Sequence, residues 1–335
     1  MNRLITQFEF IEGVKKITSK MNHLEYYQQH NILPVHYKGT REEHFQRRES
    51  LYRALRMPPL LFQYAKILEI AAGTGQNAEY IYSLIFNEKN FVAIDPMLHD
   101  SSKKSLVHEI SVEDYFARYP YETYDIIICE NWLGRNDSEI LKKIAARIRN
   151  RGILVITCVP ALGVLPNMLR RGLATQLIND NMTFEEKTQI LVQAFSSHLD
   201  TIKDMTRSHK DWVQDTLLYP DYDKMIFEPA EVFNQLPDFE ILGSSPDFVS
   251  DWRWFKSLYG DNRKFNEHFI SHYSENSLRF MSYKDNNEFL VKEAINEAQE
   301  LLATKDKITV EAVANMSKFK YLFGRETLYL GLQKK

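Results

Sequence analysis

The sequence predicts an α/β protein built on an open, mostly parallel sheet, and three observations carry that expectation. Two apolar runs, Ile67 to Ile70 and Phe91 to Ile94, flank a stretch whose apolar residues recur at helical spacing: Ala78, Ile81, Tyr82, Leu84 and Ile85. Between the first run and that helix lies a turn of small residues, Ala71, Ala72, Gly73, Thr74 and Gly75. Such a turn lets the backbone approach a ligand closely, where bulkier side chains would clash. The second run ends in Asp95, an acid about 20 residues past the glycines, placed to reach ribose hydroxyls at the end of a strand. Together these make a strand, tight loop, helix and strand, a βαβ unit whose nucleotide-type ligand edge is the carboxyl end of its strands.

The elements follow in order. Residues 1–60 read as a helical cap. Thr40-Arg41-Glu42-Glu43 is a capping box, and Phe45, Leu51, Tyr52 and Leu55 form a stripe that Pro58-Pro59 stops. The core of 61–160 places strands at 66–70, 91–95, 105–110, 124–129 and 153–158, with helices at 76–86 and 138–149. The latter shows Ile140, Leu141, Ile144, Ala145 and Ile148 on one face. Gly152 to Leu169 is uncharged over 18 residues but is interrupted by Pro160 and Pro166, so it reads as a buried strand and a proline-bounded loop rather than a membrane span. Residues 161–237 contain no good core strand. They form a helical insertion in which a capping box, Thr183-Phe184-Glu185-Glu186, opens a long helix through Ile190, Leu191, Ala194, Phe195, Leu199, Ile202 and Met205. Residues 238–246 return to the core as a strand. A second helical insertion, 247–323, carries Asp251-Trp252-Arg253-Trp254-Phe255 and a helix through Leu290, Val291, Ala294, Ile295, Ala298, Leu301 and Leu302. The last core strand lies within 324–335.

Composition narrows the function. At 335 residues with 44% hydrophobic and 26% charged residues, the chain reads as a soluble globular protein with a large core. A net charge of −3 without a long Lys/Arg run gives no nucleic-acid footprint. The densest basic stretch, Arg41 to Arg56, also holds Glu42, Glu43 and Glu49 and reads as a solvated, ion-paired helix face. Cys129 and Cys158 both sit in apolar runs, as buried hydrophobes rather than a disulfide or metal pair. With no sustained apolar segment or cleavage site at the N-terminus, a cytoplasmic location is expected.

The pattern of Glu69, Ala71, Gly73 and Gly75, an acid followed by small-x-Gly-x-Gly, with Asp95 after it, resembles class I S-adenosylmethionine-dependent methyltransferases. The turn alone also admits a nicotinamide cofactor, since Ala78 closes a loose G-x-G-x-x-A. The resemblance covers about 66–160, 238–246 and 324–335. It implies a Rossmann-like seven-stranded methyltransferase sheet whose last strand is antiparallel beside the fifth, with an N-terminal helical cap and two large helical insertions. It also implies S-adenosyl-L-methionine as cofactor, held by Glu69, Ala71, Gly73, Thr74, Gly75, Asn77, Asp95, Pro96 and Met97, with Ser111 and Val112 toward the adenine and Glu130 and Asn131 at the end of the fourth strand. Two departures stand out: Ala71 replaces the family's first glycine, which requires a negative φ there, and Ser111 replaces its adenine-reading acid.

The fourth-strand end, Glu130-Asn131-Trp132-Leu133, lacks the Asn/Asp-Pro-Pro-aromatic of enzymes that methylate planar nitrogens. Val159-Pro160-Ala161-Leu162 after the fifth strand lacks the acids of metal-assisted relatives, so no metal is expected. Asp125, at the opposite strand end, reads as structural. An alcohol acceptor needs a base, and the candidates are His30, His36, His44, His209 and Glu130, each also readable as an ordinary surface, hydrogen-bonded or binding residue. Trp252 and Trp254 either line a sugar or aromatic pocket or anchor the second insertion.

The expected function is O-methylation of a small polar acceptor such as a sugar nucleotide or glycan unit, with similarity to uncharacterised bacterial small-molecule and glycan methyltransferases. The alternatives are a non-catalytic methyltransferase-like scaffold and an N-methyltransferase of a small amine. The acidic charge balance disfavours protein or RNA substrates, and the sequence leaves the oligomeric state open.

Overall fold

The computed structural model describes residues 23–32, 37–97, 105–133, 138–203, 205, 207–220, 222–249, 256, 265–281, 288–304 and 308–335. Its strands are β1 (Ile67–Ile70), β2 (Phe91–Asp95), β3 (Val107–Glu109), β4 (Tyr124–Cys129), β5 (Ile148–Cys158), β6 (Phe239–Ser245) and β7 (Leu328–Lys334). β1 and most of β2, β4 and β5 are buried on both faces, as continuous apolar runs in a helix-covered sheet demand.

The strands form one sheet in the order β3-β2-β1-β4-β5-β7-β6. β1 lies parallel to β2 and β4, and β4 to β5, whereas β7 runs antiparallel between β5 and β6. This is the seven-stranded, Rossmann-like methyltransferase sheet with its last strand reversed. Because β1 neighbours both β2 and β4, the strand order switches there, and ligands of open α/β sheets bind beyond the carboxyl ends at that point.

The helices are α1 (His23–His30), α2 (Arg41–Ala54), α3 (Gln76–Tyr82), α4 (Val112–Arg118), α5 (Ser138–Ala145), α6 (Ala161–Leu177), α7 (Phe184–Leu199), α8 (His209–Trp212), α9 (Pro229–Gln235), α10 (Phe265–Met281), α11 (Glu288–Ala303) and α12 (Val310–Ala314). Both capping boxes form: Thr40 Oγ1 accepts from the Glu43 N–H and Thr183 Oγ1 from the Glu186 N–H, each at 3.2 Å.

Several boundaries differ from the sequence reading: the helix expected over 76–86 ends at Tyr82, and the strand expected over 105–110 narrows to Val107–Glu109. The helix expected over 138–149 stops at Ala145, because Ile148 pairs with Tyr124 and opens a longer β5. Arg149 then reaches Asp125 at 2.8 Å, which gives that acid its structural role. The loop expected after Cys158 is instead α6, which contains Pro166. Burial of every residue from Gly163 to Ala174 outweighs the backbone bond that the proline removes. α7 ends at Leu199, short of Ile202 and Met205.

The chain divides into two compact units. The core unit takes its described residues from 34–160, 227–275 and 327–335, and the helical unit from 1–33, 161–226 and 276–326. The stretches 161–237 and 247–323, expected as insertions, each divide between the units. In the core unit, Tyr52, Leu55 and Met57 of the cap pack with Ile67, Ala78, Ile81, Ala93 and Ile126 in one apolar cluster. In the helical unit, α7 is tied to α12 by Ser197 Oγ donating to the Ala314 carbonyl at 2.6 Å and His198 Nε2 lying 2.8 Å from the Val313 carbonyl.

Candidate functional site

The turn between β1 and α3 is held from both sides. The Ala72 N–H donates to the Ile94 carbonyl at 3.1 Å, and the Gly75 N–H to the Ala72 carbonyl at 2.9 Å. Gly73 and Gly75 take left-handed φ values of 59° and 76°. A Cβ built on Gly73 would meet nothing within 4 Å, so open space lies above it. Ala71 has φ 59°, not the negative value the sequence reading requires, and an alanine in that region costs about 1–2 kcal/mol. The turn therefore holds strain beside the position where a ligand would approach.

Asp95, at the end of β2, is buried. Its Oδ2 accepts from the Gly73 N–H at 2.8 Å and its Oδ1 from the Met97 N–H at 2.9 Å. Burial raises its pKa, and the two amides oppose the rise. Pro96 is exposed, and Thr74 and Met97 are half-buried. Ser111 caps α4: its hydroxyl accepts from the Asp114 N–H at 3.1 Å and donates to Asp114 Oδ2 at 2.7 Å. Val112 is buried in the first turn of that helix.

At the end of β4, Glu130 is gripped by Arg48 of α2 through two bonds, Nη1 to Oε2 at 3.0 Å and Nη2 to Oε1 at 2.5 Å. Arg48 Nη2 also donates to the Tyr52 hydroxyl at 2.9 Å, and that hydroxyl lies 3.3 Å from Asn77 Oδ1. Asn77 Nδ2 donates to Glu69 Oε1 at 2.6 Å. Glu69 Oε2 is buried with no partner among the described residues. Burial is the main force that pushes Glu69 up to about 8, and the neighbouring Glu130 adds to it. Burial opposes charge on Arg48, but Glu130 overcomes it and holds the guanidinium well above its usual range. Asn131 is left-handed at φ 55°, with its N–H donating to Thr157 Oγ1 at 2.7 Å.

The core unit thus assembles Glu69, Gly73, Asn77, Asp95, Glu130 and Asn131 along one sheet edge. Sequence reasoning missed Arg48 and Tyr52. They sit four residues apart on α2, where Arg48 read as part of a solvated face and Tyr52 as part of the apolar stripe, and that spacing was the available signal.

The candidate bases are placed as follows. Glu130 faces Arg48. His44, on α2, is shifted down by burial and by Arg48, and its Nε2 is buried and unpartnered among the described residues. His30 belongs to the helical unit, stacked on Phe184 at 3.7 Å between ring centroids, and burial shifts it down. His209, in the same unit, lies 3.3 Å from Ser196 Oγ and 3.4 Å from Asp200 Oδ1. His36, Trp252 and Trp254 lie outside the described residues.

The helical unit has its own polar interior. Asn167 Nδ2 donates to Glu326 Oε1 at 2.5 Å, and the Tyr222 hydroxyl donates to Glu326 Oε2 at 3.1 Å. Arg171 Nη1 donates to the Thr216 and Leu217 carbonyls at 2.8 and 2.9 Å, within the π-helical turn Val213–Leu217. Asp215 of that turn accepts from Tyr27 and Arg207.

Among the described residues, no group of His, Cys, Asp and Glu could hold a metal ion, and no helix is long and apolar enough to cross a membrane. A cavity of about 450 Å³ beside α4, lined by Lys66, Lys89, His108, Arg118 and Tyr124 among others, includes no residue of the glycine turn.

No family model matches the chain, and no curated protein matches it in sequence. Solved structures match it distantly. A plantazolicin methyltransferase, BpumL, in complex with a monoazolic desmethylPZN analog and SAH, is 13% identical over 88% of this chain and 86% of that one, with a TM-score of 0.40. PKMT2 from Rickettsia typhi, in complex with AdoHcy, is 14% identical over 87% of this chain and 52% of its own, with a TM-score of 0.41. A cyclopropane-fatty-acyl-phospholipid synthase-like protein from Lactobacillus casei ATCC 334 is 12% identical over 91% and 95%, with a TM-score of 0.38. The fold assignment itself stands on strand order and register.

Proposed function

We propose that the chain is an S-adenosylmethionine-dependent methyltransferase that methylates an oxygen of a small polar acceptor, such as a sugar nucleotide or glycan unit. The observation that carries this reading is the edge of the sheet: Gly73 leaves open space above the turn, and Glu69 beside it keeps a buried carboxylate oxygen without a partner. That pairing fits a ligand with donor groups and a close backbone approach. When bound, S-adenosylmethionine supplies an activated methyl group on a sulfonium.

The chain's own residues bind and orient. Gly73 and Gly75 bring the backbone near the ligand, and Asp95 offers lone pairs beyond its two amide bonds to ribose hydroxyls. Ser111 and Val112 border the adenine side, with the Ser111 hydroxyl already engaged as a helix cap. Glu130 and Asn131 border the reacting end. The bidentate hold of Arg48 favours a binding role for Glu130 over proton removal. The proton of an alcohol acceptor then falls to a histidine, with His30, His36 and His209 as candidates. Burial favours the neutral, proton-accepting ring of His30.

The test is calorimetric titration of wild type and Asp95→Ala with S-adenosylmethionine and S-adenosylhomocysteine. Tight binding that collapses in the variant supports the reading. The second reading, a scaffold without cofactor, draws on the strained Ala71 and the committed Ser111 hydroxyl. It gains if the folded wild type binds neither compound.

A further inference from the structure

The three acids of the sheet edge are satisfied unequally. Each oxygen of Asp95 accepts a backbone amide, and each oxygen of Glu130 accepts from Arg48. Glu69 Oε1 accepts from Asn77, and Glu69 Oε2 accepts from nothing among the described residues. An ionised oxygen sealed from water without a donor is expensive, so this position calls for a proton or for a donor brought by a ligand.

The groups facing Glu69 come from four places: Asn77 from α3, Asp95 from β2, Glu130 just past β4, and Arg48 and Tyr52 from α2. Two acids favour the proton, and Arg48 alone among these charges opposes it. Arg48 has already committed both Nη atoms to Glu130 and Tyr52. The Tyr52 hydroxyl, between Arg48 and Asn77, links that pair to the amide holding Glu69.

We propose that Arg48 and Tyr52 are positioning residues of the cofactor site, holding Asn77 and Glu130 around Glu69, whose Oε2 carries a proton in the free protein and surrenders it when a cationic group of the cofactor binds. The inference rests on the methyltransferase reading. In the exchange, the carboxyl O–H bond of Glu69 breaks, its electron pair stays on Oε2, and the proton passes to solvent. A ligand N–H then donates into the freed lone pair. With Glu69 pushed up to about 8, most molecules carry that proton at pH 7.

The experiment is titration calorimetry of S-adenosylhomocysteine into the full chain at pH 7, in phosphate and in Tris. The difference in apparent enthalpy between the two buffers counts the protons released. Wild type should release about one proton more than Glu69→Gln, since any proton lost by the ligand is common to both. Wild-type affinity should rise about 50-fold from pH 6 to pH 8 and fall again at higher pH, where the ligand's own ammonium loses its proton.

Arg48→Gln should move the midpoint of that rise up by about one pH unit, and Arg48→Lys should restore most of it. Tyr52→Phe, which keeps the ring packing, should fold like wild type and bind several-fold more weakly. Equal proton release by wild type and Glu69→Gln, or an unmoved midpoint in Arg48→Gln, overturns the inference while the methyltransferase reading stands. Absence of binding to folded wild type overturns both.

Discussion

The sheet edge of the core unit and the polar interior of the helical unit use the same residue types to different ends. Each contains an arginine–carboxylate pair, Arg48–Glu130 in one and Arg207–Asp215 in the other, and each pair has a tyrosine hydroxyl beside it. In the helical unit the carboxylates close on themselves: Asp215 spends its oxygens on Tyr27 and Arg207, and Glu326 on Asn167 and Tyr222. In the core unit the series of bonds runs from Arg48 to Glu69 and ends on an open oxygen. Breaking a closed pair strands a buried charge, whereas the unpartnered oxygen beside the glycine turn is where the proposed ligand would add a donor. Charge alone would not have separated the two.

The largest test of that contrast is a matched pair of substitutions. Arg48→Met and Arg207→Met each strand a largely buried carboxylate, and each should cost about 3 kcal/mol in denaturant melts. Only the first should also weaken S-adenosylmethionine binding in calorimetry. Equal loss of binding in both would erase the distinction between the regions. Next comes Asp95→Ala, expected to weaken cofactor binding on the order of 100-fold, the worth of two hydrogen bonds to a charged group.

A smaller effect concerns stability and pH in the ligand-free protein. Glu69 binds its proton more tightly folded than unfolded, because burial lifts it to about 8. Its contribution therefore favours folding below the ordinary glutamate range and is lost as pH climbs through about 8. Glu69→Gln removes that loss, so its melting temperature should gain on wild type by about 5 °C between pH 5 and pH 8 and then hold steady. A constant gap would mean that Glu69 is charged throughout. The smallest effect is Ala71→Gly. Relief of the left-handed alanine, less the extra freedom of an unfolded glycine, should stabilise the chain by about 0.5 kcal/mol in the same melts.

The two regions also differed in how far the sequence disclosed them. β1, the glycine turn, α3 and β2 were legible because apolar period and turn chemistry are local, and Asp95 lay where that logic puts an acid. The capping boxes at Thr40 and Thr183 were legible for the same reason. The α5–β5 boundary was not, since Ile148 continues the helical stripe of 138–145 and only pairing with Tyr124 claims it for the sheet. α6 was hidden by Pro166, which burial overrides. Arg48, 82 residues from Glu130, and Asn167, 159 from Glu326, form contacts that no local pattern encodes. The charged face of the stretch from Arg41 to Arg56 read as solvated because composition does not say which arginine turns inward.

The order of the sheet has one more consequence, and it concerns time. Among the described strands, β6 has a single neighbour, β7, and β7 follows all the others in the chain. While the chain leaves the ribosome, β6 waits with no strand to pair with, and β5 shows an open flank that only residues Leu328–Lys334 will cover. A nascent chain of this protein, or one cut short before Leu328, therefore presents bare edges on both β5 and β6, suited to joining those of other chains.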